Sequence, residues 1–158
     1  DRRTIANLPQ LMLYDLSPID GEWIGGNGRY AYRWLDLYWT EPGRNAYLFT
    51  RNGQLSGFAL VLAYSPLSGC TPCWFMAEFY ILRAQRHLGY GKLAASEIIA
   101  RHPGNWEIAV LKNNQNAISF WTATLSRLPL TDLKTESQTH DARERVVHSF
   151  ISPRSAAR

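Results

Sequence analysis

The sequence predicts an α/β domain in which a mixed sheet is flanked by helices, and three stretches carry that prediction. Ala46 to Tyr64 reads as a hairpin about Asn52-Gly53, because Asn-Gly supplies the positive φ of a tight primed turn. Phe79 to Ala95, FYILRAQRHLGYGKLAA, runs from an apolar β-favouring strand through a basic polar loop into a small-residue helix. Leu130 to Thr135 and Val146 to Ile151 form a closing antiparallel pair.

The remaining elements follow in chain order. Leu8 to Leu16 reads as the first helix, with Asn7 as cap, Pro9 in the first turn, and Leu8, Leu11 and Met12 as its apolar stripe. Residues 17–28 are loop-like, holding Pro18, Asp20 and the glycines of Gly25 to Gly28. Tyr30 to Trp39, YAYRWLDLYW, suits either a packed aromatic helix or an irregular lid. Leu55 to Tyr64 completes the hairpin, residues 65–73 interrupt the sheet, and Trp74 to Leu82 is the next strand. Gly91 to Arg101 is a helix, stopped by His102-Pro103-Gly104 with His102 read as a cation at its C-terminus. Asn105 to Leu111 is a strand. Asn114 to Leu125 is a helix with Ala117, Phe120, Trp121, Thr124 and Leu125 on one face. The link from Glu136 to Arg145 is polar and expected as an exposed loop.

Length and composition bound the architecture. At 158 residues the chain can build one good core but not two ordinary ones, so residues 1–151 are expected as a single domain and 152–158 as a disordered basic tail. A hydrophobic fraction of 46% with 19% charged residues is that of a globular protein. The net charge of +4 comes from scattered basic residues, four of them arginines in the last sixteen positions, which argues against a nucleic-acid partner. No run reaches the roughly 18 apolar residues of a membrane span and no signal peptide opens the sequence, so a cytoplasmic protein without a membrane partner is expected. A monomer and a homodimer are both compatible with it.

The chemistry concentrates where the strand ends. Gly89 and Gly91 lack a Cβ, so backbone N–H groups there can approach a ligand closely or adopt positive φ. A helix N-terminus bordered by Arg86, His87 and Lys92 favours an anion such as a pyrophosphate. A P-loop is excluded, because Arg86 and Leu93 stand where its first Gly and its Ser or Thr belong. Gly89, Gly91 and Ala94 satisfy the dinucleotide pattern Gly-x-Gly-x-x-Ala, but the acid expected about 20 residues on is absent. Cys70-Thr71-Pro72-Cys73 lacks the second pair a zinc site needs, and the four histidines show no ligand spacing; no metal is expected.

Arg86-His87-Leu88-Gly89-Tyr90-Gly91 resembles the Arg/Gln-x-x-Gly-x-Gly/Ala loop of the GNAT superfamily of acetyl-CoA-dependent N-acyltransferases. Asn116-Ala117-x-x-Phe120-Trp121 resembles that family's Asn-x-x-Ala helix at matching distance, and the likeness covers Ala46 to Leu125 best. It implies a mostly antiparallel sheet, splayed between the cofactor strand and the next, and a first strand ahead of the first helix for which no segment here stands out. It also implies acetyl-CoA, with the pantetheine arm on the backbone of Tyr80, Ile81 and Leu82. The pyrophosphate would rest on amides from His87 through Leu88, Gly89, Tyr90 and Gly91 to Lys92, with Arg86 and Lys92 adding charge. Asn116 would bond the arm. Trp121 stands where many members carry the Tyr that protonates the leaving thiolate, a task an indole N–H cannot perform; solvent, Tyr90 or Tyr80 are the substitutes.

Glu78 interrupts an apolar strand just before this stretch and is the candidate general base for an amine acceptor, the alternative being a paired structural carboxylate. Asp20, Glu22, Asp36 and Glu41 lie among Tyr30, Trp34, Tyr38 and Trp39. Tyr30, Trp34, Asp36, Tyr38 and Glu41 are therefore the candidate contacts for a small cationic amine such as an amino sugar, aminoglycoside or polyamine. A protein or peptide acceptor, a CoA-binding sensor and an NAD-dependent reductase are the alternatives.

Overall fold

The computed structural model describes residues 2–154. A long helix α1 (Arg2–Asp20) is followed by a 3-10 helix (Leu35–Trp39), the hairpin β1 (Arg44–Arg51) and β2 (Gln54–Leu62), and β3 (Trp74–Ile81). Then come α2 (Tyr90–Arg101), β4 (Gly104–Leu111), α3 (Gln115–Leu125), β5 (Thr131–His140) and β6 (Arg143–Ser152). The six strands form one sheet in the order β1-β2-β3-β4-β6-β5. Every neighbouring pair is antiparallel except β3 with β4. No strand precedes α1 among the described residues.

Two apolar clusters hold the layers together. On one face, Ala95, Ile98 and Ile99 of α2 and Trp121 and Leu125 of α3 pack on Met76, Trp106, Ile108 and Phe150. On the other, Ile5, Leu8 and Met12 of α1 and Tyr38 cover Phe58, Leu60, Leu62 and Tyr80. The buried stripe of α1 therefore includes Ile5 in place of the expected Leu11, which is half exposed. Ile5 also explains why the helix starts six residues earlier than its sequence suggests and carries Pro9 in its interior. Proline there costs about 3 kcal/mol, which burial of one further large side chain offsets.

Other expectations are corrected too. His102 is buried, bonded to the Tyr47 hydroxyl at 2.5 Å and packed on Trp74; burial and then Arg101 lower its pKa, so it is a neutral ring and not a capping cation. The link from Glu136 to Arg145 is no loop. β5 continues to His140, the chain turns at Asp141-Ala142 with φ of 50° and 59°, and β6 resumes at Arg143. Glu136 to Thr139 is exposed throughout, so no burial pattern marked this second half of the strand in the sequence. Ser152 belongs to β6, buried and donating to the Ile99 carbonyl at 3.0 Å, so the ordered chain passes the expected tail boundary. Residues 155–158 of that tail lie outside the described residues.

Two irregularities of the sheet prepare the site. β3 and β4 pair only at Trp74 with Trp106 and Phe75 with Glu107, after which the strands diverge. Between β2 and β3 the register shifts, Leu60 facing Glu78 and Val61 facing Met76, so Ala77 is an extra residue. Such a bulge resets the alternation of side chains. It turns Glu78 to the α1 face, together with its cross-strand partner Leu60 and with Tyr80. Gly57 sits beside this segment, and a Cβ on it would lie 2.1 Å from the Tyr80 carbonyl oxygen. Gly57→Ala must push β2 from β3 and is expected to lower stability by about 3 kcal/mol, read as a lower denaturation midpoint with little change in slope.

Candidate active site

Glu78 is the most perturbed acid of the α1 face. Burial pushes its carboxyl up to about 7; the hydrogen bond that the Tyr32 hydroxyl donates to Oε1 at 3.0 Å opposes this, and the charge of Asp20 adds to it. Burial and the charge of Glu78 raise Tyr32 and Tyr38 well above an ordinary phenol, so both remain protonated donors. Beside them Arg44 lies over the rings of Tyr38 and Tyr64, at 5.5 and 5.9 Å, and donates to Glu41 at 2.7 Å. A carboxyl that titrates near neutrality, fixed by a phenol, can accept the proton of an ammonium group.

The five candidate acceptor contacts are not one cluster. Tyr38 is buried within the field of Glu78. Tyr30 is held to α1 by its backbone, through both polar atoms of the Gln10 side chain. Trp34 is largely exposed, Asp36 is ion-paired with Arg2 at 2.8 Å on the surface, and Glu41 is taken by Arg44. Asp20 is the acid nearest to Glu78 in effect. It lines an open groove of about 620 Å³ with Lys112, Asn113, Arg143 and Glu144, between the end of α1, the end of β4 and the β5–β6 turn, a lining that does not include Glu78 or Tyr32. Lys112 is neutralised by Glu144 at 3.1 Å and Arg143 by Glu22 at 3.7 Å.

Tyr32 and Asp15 are the residues that sequence reasoning missed. Tyr32 lies in the same aromatic run as Tyr30 and Trp34, and nothing in that run's composition distinguishes it. Asp15 gathers three groups: the Tyr80 hydroxyl at 2.8 Å, Arg83 at 2.7 Å and Arg86 at 2.8 Å. Burial alone would raise its pKa, but the hydrogen bonds from Arg83, Tyr80 and Arg86 bring it below the ordinary value. Arg86 also donates from Nε to the Ile81 carbonyl at 2.8 Å, so its fork braces the end of β3 against α1. Tyr80 donates to Asp15 and is pushed up to about 12 by burial and that bond.

The loop after β3 has the shape the basic motif predicts. Leu88 is exposed and His87 turns with φ of 62°. Gly89 is the N-cap of α2 with φ of 86°, and a Cβ there would meet nothing within 4 Å. The first-turn amides of α2 have no carbonyl partner inside the helix, by helix geometry. A Cβ on Gly91 would touch Phe120 at 3.2 Å and Ile81 at 3.3 Å, so this glycine lets the helix start sit against the strand end. Tyr80 and Ile81 are buried, and Leu82 donates its N–H to the Ser56 carbonyl at 2.9 Å. Lys92 and Asn116 are exposed. The cap of α3 is Asn114, which accepts from the Ala117 N–H at 3.2 Å. Trp121 is buried and packs edge-on against Phe79, with centroids 5.1 Å apart. An open strand edge leading to free amides at a helix N-terminus fits a peptide-like arm that ends in phosphates.

Both cysteines are free thiols; burial first, then neighbouring Cys70, pushes Cys73 up to about 12. Among the described residues no three His, Cys, Asp or Glu side chains are grouped to hold a metal, and no helix is long and apolar enough to cross a membrane.

A mixed sheet opened between two parallel strands, with a glycine-capped helix start at the opening, is the fold of an acyl-CoA-dependent N-acyltransferase. The sequence matches the model of the acetyltransferase (GNAT) family over residues 11–125, and the chain belongs to that family. Its fold is shared by an acetyltransferase from Thermus thermophilus, at 16% identity and TM-score 0.61 over 91% of this chain and 90% of that one. A ribosomal-protein-alanine N-acetyltransferase from Brucella melitensis aligns at 16% identity and TM-score 0.57, over 92% and 94%. A nourseothricin acetyltransferase aligns at 20% identity and TM-score 0.50, over 72% and 68%. No curated protein matches the sequence. The family generally uses acetyl-CoA, and its members in this comparison include protein and small-molecule acetyltransferases.

Proposed function

We propose that the chain transfers the acetyl group of acetyl-CoA directly to a primary amine of a small cationic molecule. The observation that carries this reading is Glu78, a carboxyl pushed up to about 7 and hydrogen-bonded by Tyr32, on the strand whose far edge is open. Acetyl-CoA supplies an activated thioester when bound. The backbone of β3 beyond Phe75 pairs with its arm, and the amides from His87 to Lys92 hold its phosphates. Glu78 takes the proton of the acceptor ammonium, and Tyr32 keeps the carboxylate oriented. Positioning supplies much of the rate, so no covalent enzyme intermediate is invoked. The Tyr80 hydroxyl donates its proton to Asp15 in a hydrogen bond, which leaves the thiolate's proton to solvent or Tyr90.

The acceptor class rests on Asp20 and the groove it lines. The groove is open to solvent and its two cations are already paired, while Asp20 makes no ion pair among the described residues. A second positive group on the acceptor would meet that charge. An acetyl-transfer screen over aminoglycosides, polyamines, amino acids and basic peptides tests the reading, followed by Asp20→Asn on the best substrate. Turnover of a diamine or amino sugar, with KM raised about tenfold in the variant, is the expected result. Activity confined to peptides would replace the small cation with a polypeptide acceptor.

A further inference from the structure

We propose that Arg51, the last residue of β1 at the tip of the β1–β2 hairpin, binds a phosphate of the CoA moiety and is held ready for it by Tyr90. The inference rests on the acetyl-CoA reading and concerns a residue outside the loop motif.

The two arginines of the loop itself are committed elsewhere. Arg83 and Arg86 both end on Asp15, and Arg86 spends its Nε on the Ile81 carbonyl. Their positive charge is therefore offset by a carboxylate in direct contact with each. Arg51 is different. It makes no ion pair with an Asp or Glu among the described residues, it is exposed, and its guanidinium lies 4.3 Å from the centroid of the Tyr90 ring. Tyr90 is the first residue of α2, directly after the capping Gly89.

The sheet explains how a residue so far back in the sequence arrives there. β3 ends with Ile81 opposite Gly57, whereas the hairpin continues to Arg51 opposite Gln54. Its tip overhangs the end of β3 by three residues, roughly 10 Å, which is where the loop and the start of α2 lie. Tyr47 and Phe49 pack into the cluster beneath α2 and α3, and Arg51 follows at the same two-residue spacing. A ring contact fixes the plane of a guanidinium without using any of its five N–H donors, so all of them remain for oxygen ligands. Guanidinium and phosphate then pair in the bidentate manner that a lysine cannot reproduce.

Calorimetry with CoA, dephospho-CoA and pantetheine tests this on the wild type, Arg51→Ala and Arg51→Lys. Arg51→Ala is expected to lose about tenfold in CoA affinity, with the salt dependence of binding reduced and pantetheine binding unchanged. Arg51→Lys should recover only part of the loss. A loss that persists with dephospho-CoA assigns Arg51 to the pyrophosphate; one that disappears assigns it to the 3′-phosphate. Because Arg51 is exposed, the melting temperature should stay within a degree or so of the wild type. CoA affinity within about twofold of the wild type in Arg51→Ala, or an equal loss toward pantetheine, overturns the inference while leaving the acetyl-CoA reading intact. Wild-type protein that binds no CoA overturns both.

Discussion

Glu78→Gln is expected to lower kcat on the order of 10³-fold near neutral pH while acetyl-CoA affinity changes little, since positioned proton transfer contributes about 10²–10⁴-fold and the carboxyl does not touch the phosphate loop. The wild-type rate should rise with pH through about 7, where Glu78 loses its proton, and that limb should vanish in the variant. The defect should shrink at high pH, where the acceptor amine is already free. A pH-independent defect would assign Glu78 to positioning. The same shift has a consequence for stability. The folded-state pKa of about 7 lies above the unfolded value of 4.5, so the folded chain binds more protons between them and stability falls as pH rises through that window. The cost is fully present above pH 7, at about 2–3 kcal/mol for a group that keeps some solvent access. Glu78→Gln should therefore melt higher than the wild type at pH 8 and no higher near pH 4. Equal melting temperatures at both pH values would show that Glu78 is not desolvated.

Gly89→Glu should reduce acetyl-CoA affinity by about 10³-fold, because a carboxylate on the capping residue of α2 repels phosphate and fills the space over the amides. The measurement is calorimetric titration with CoA. Nothing lies within 4 Å of the added Cβ, so no core packing is lost. The φ of 86° does matter, since a side chain in the left-handed region costs about 1–2 kcal/mol, and a lowered melting temperature is expected in Gly89→Ala as well. Gly89→Ala separates the two effects: it should share the strain and keep most of the affinity. Full affinity in Gly89→Glu would move the phosphates away from this turn.

The strand, loop and helix from Phe79 to Arg101, the Asn52-Gly53 hairpin and the strand after His102 were legible because local chemistry specifies them. Apolar β-favouring runs, glycines and a turn dipeptide act within a few residues of themselves. The family motif likewise sits in consecutive positions. What the sequence could not reveal depends on partners far along the chain. Ile5 extends α1 past the expected cap because β2 and β3 give it a surface to cover, and β5 continues from Glu136 to His140 because β6 pairs with it although almost nothing buries it. The bulge at Ala77 arises between two strands, and it decides that Glu78 meets Tyr32 on the α1 face. Arg86 reads as a phosphate ligand in its motif, and its ion pair with Asp15, seventy-one residues earlier, is a contact only the fold provides. Periodicity and turn chemistry are local energies and can be read from neighbours in sequence. Desolvation, ion pairing and register are set by neighbours in space, so the pKa of Glu78, the commitment of Arg86 and the freedom of Arg51 were decided only by the tertiary structure.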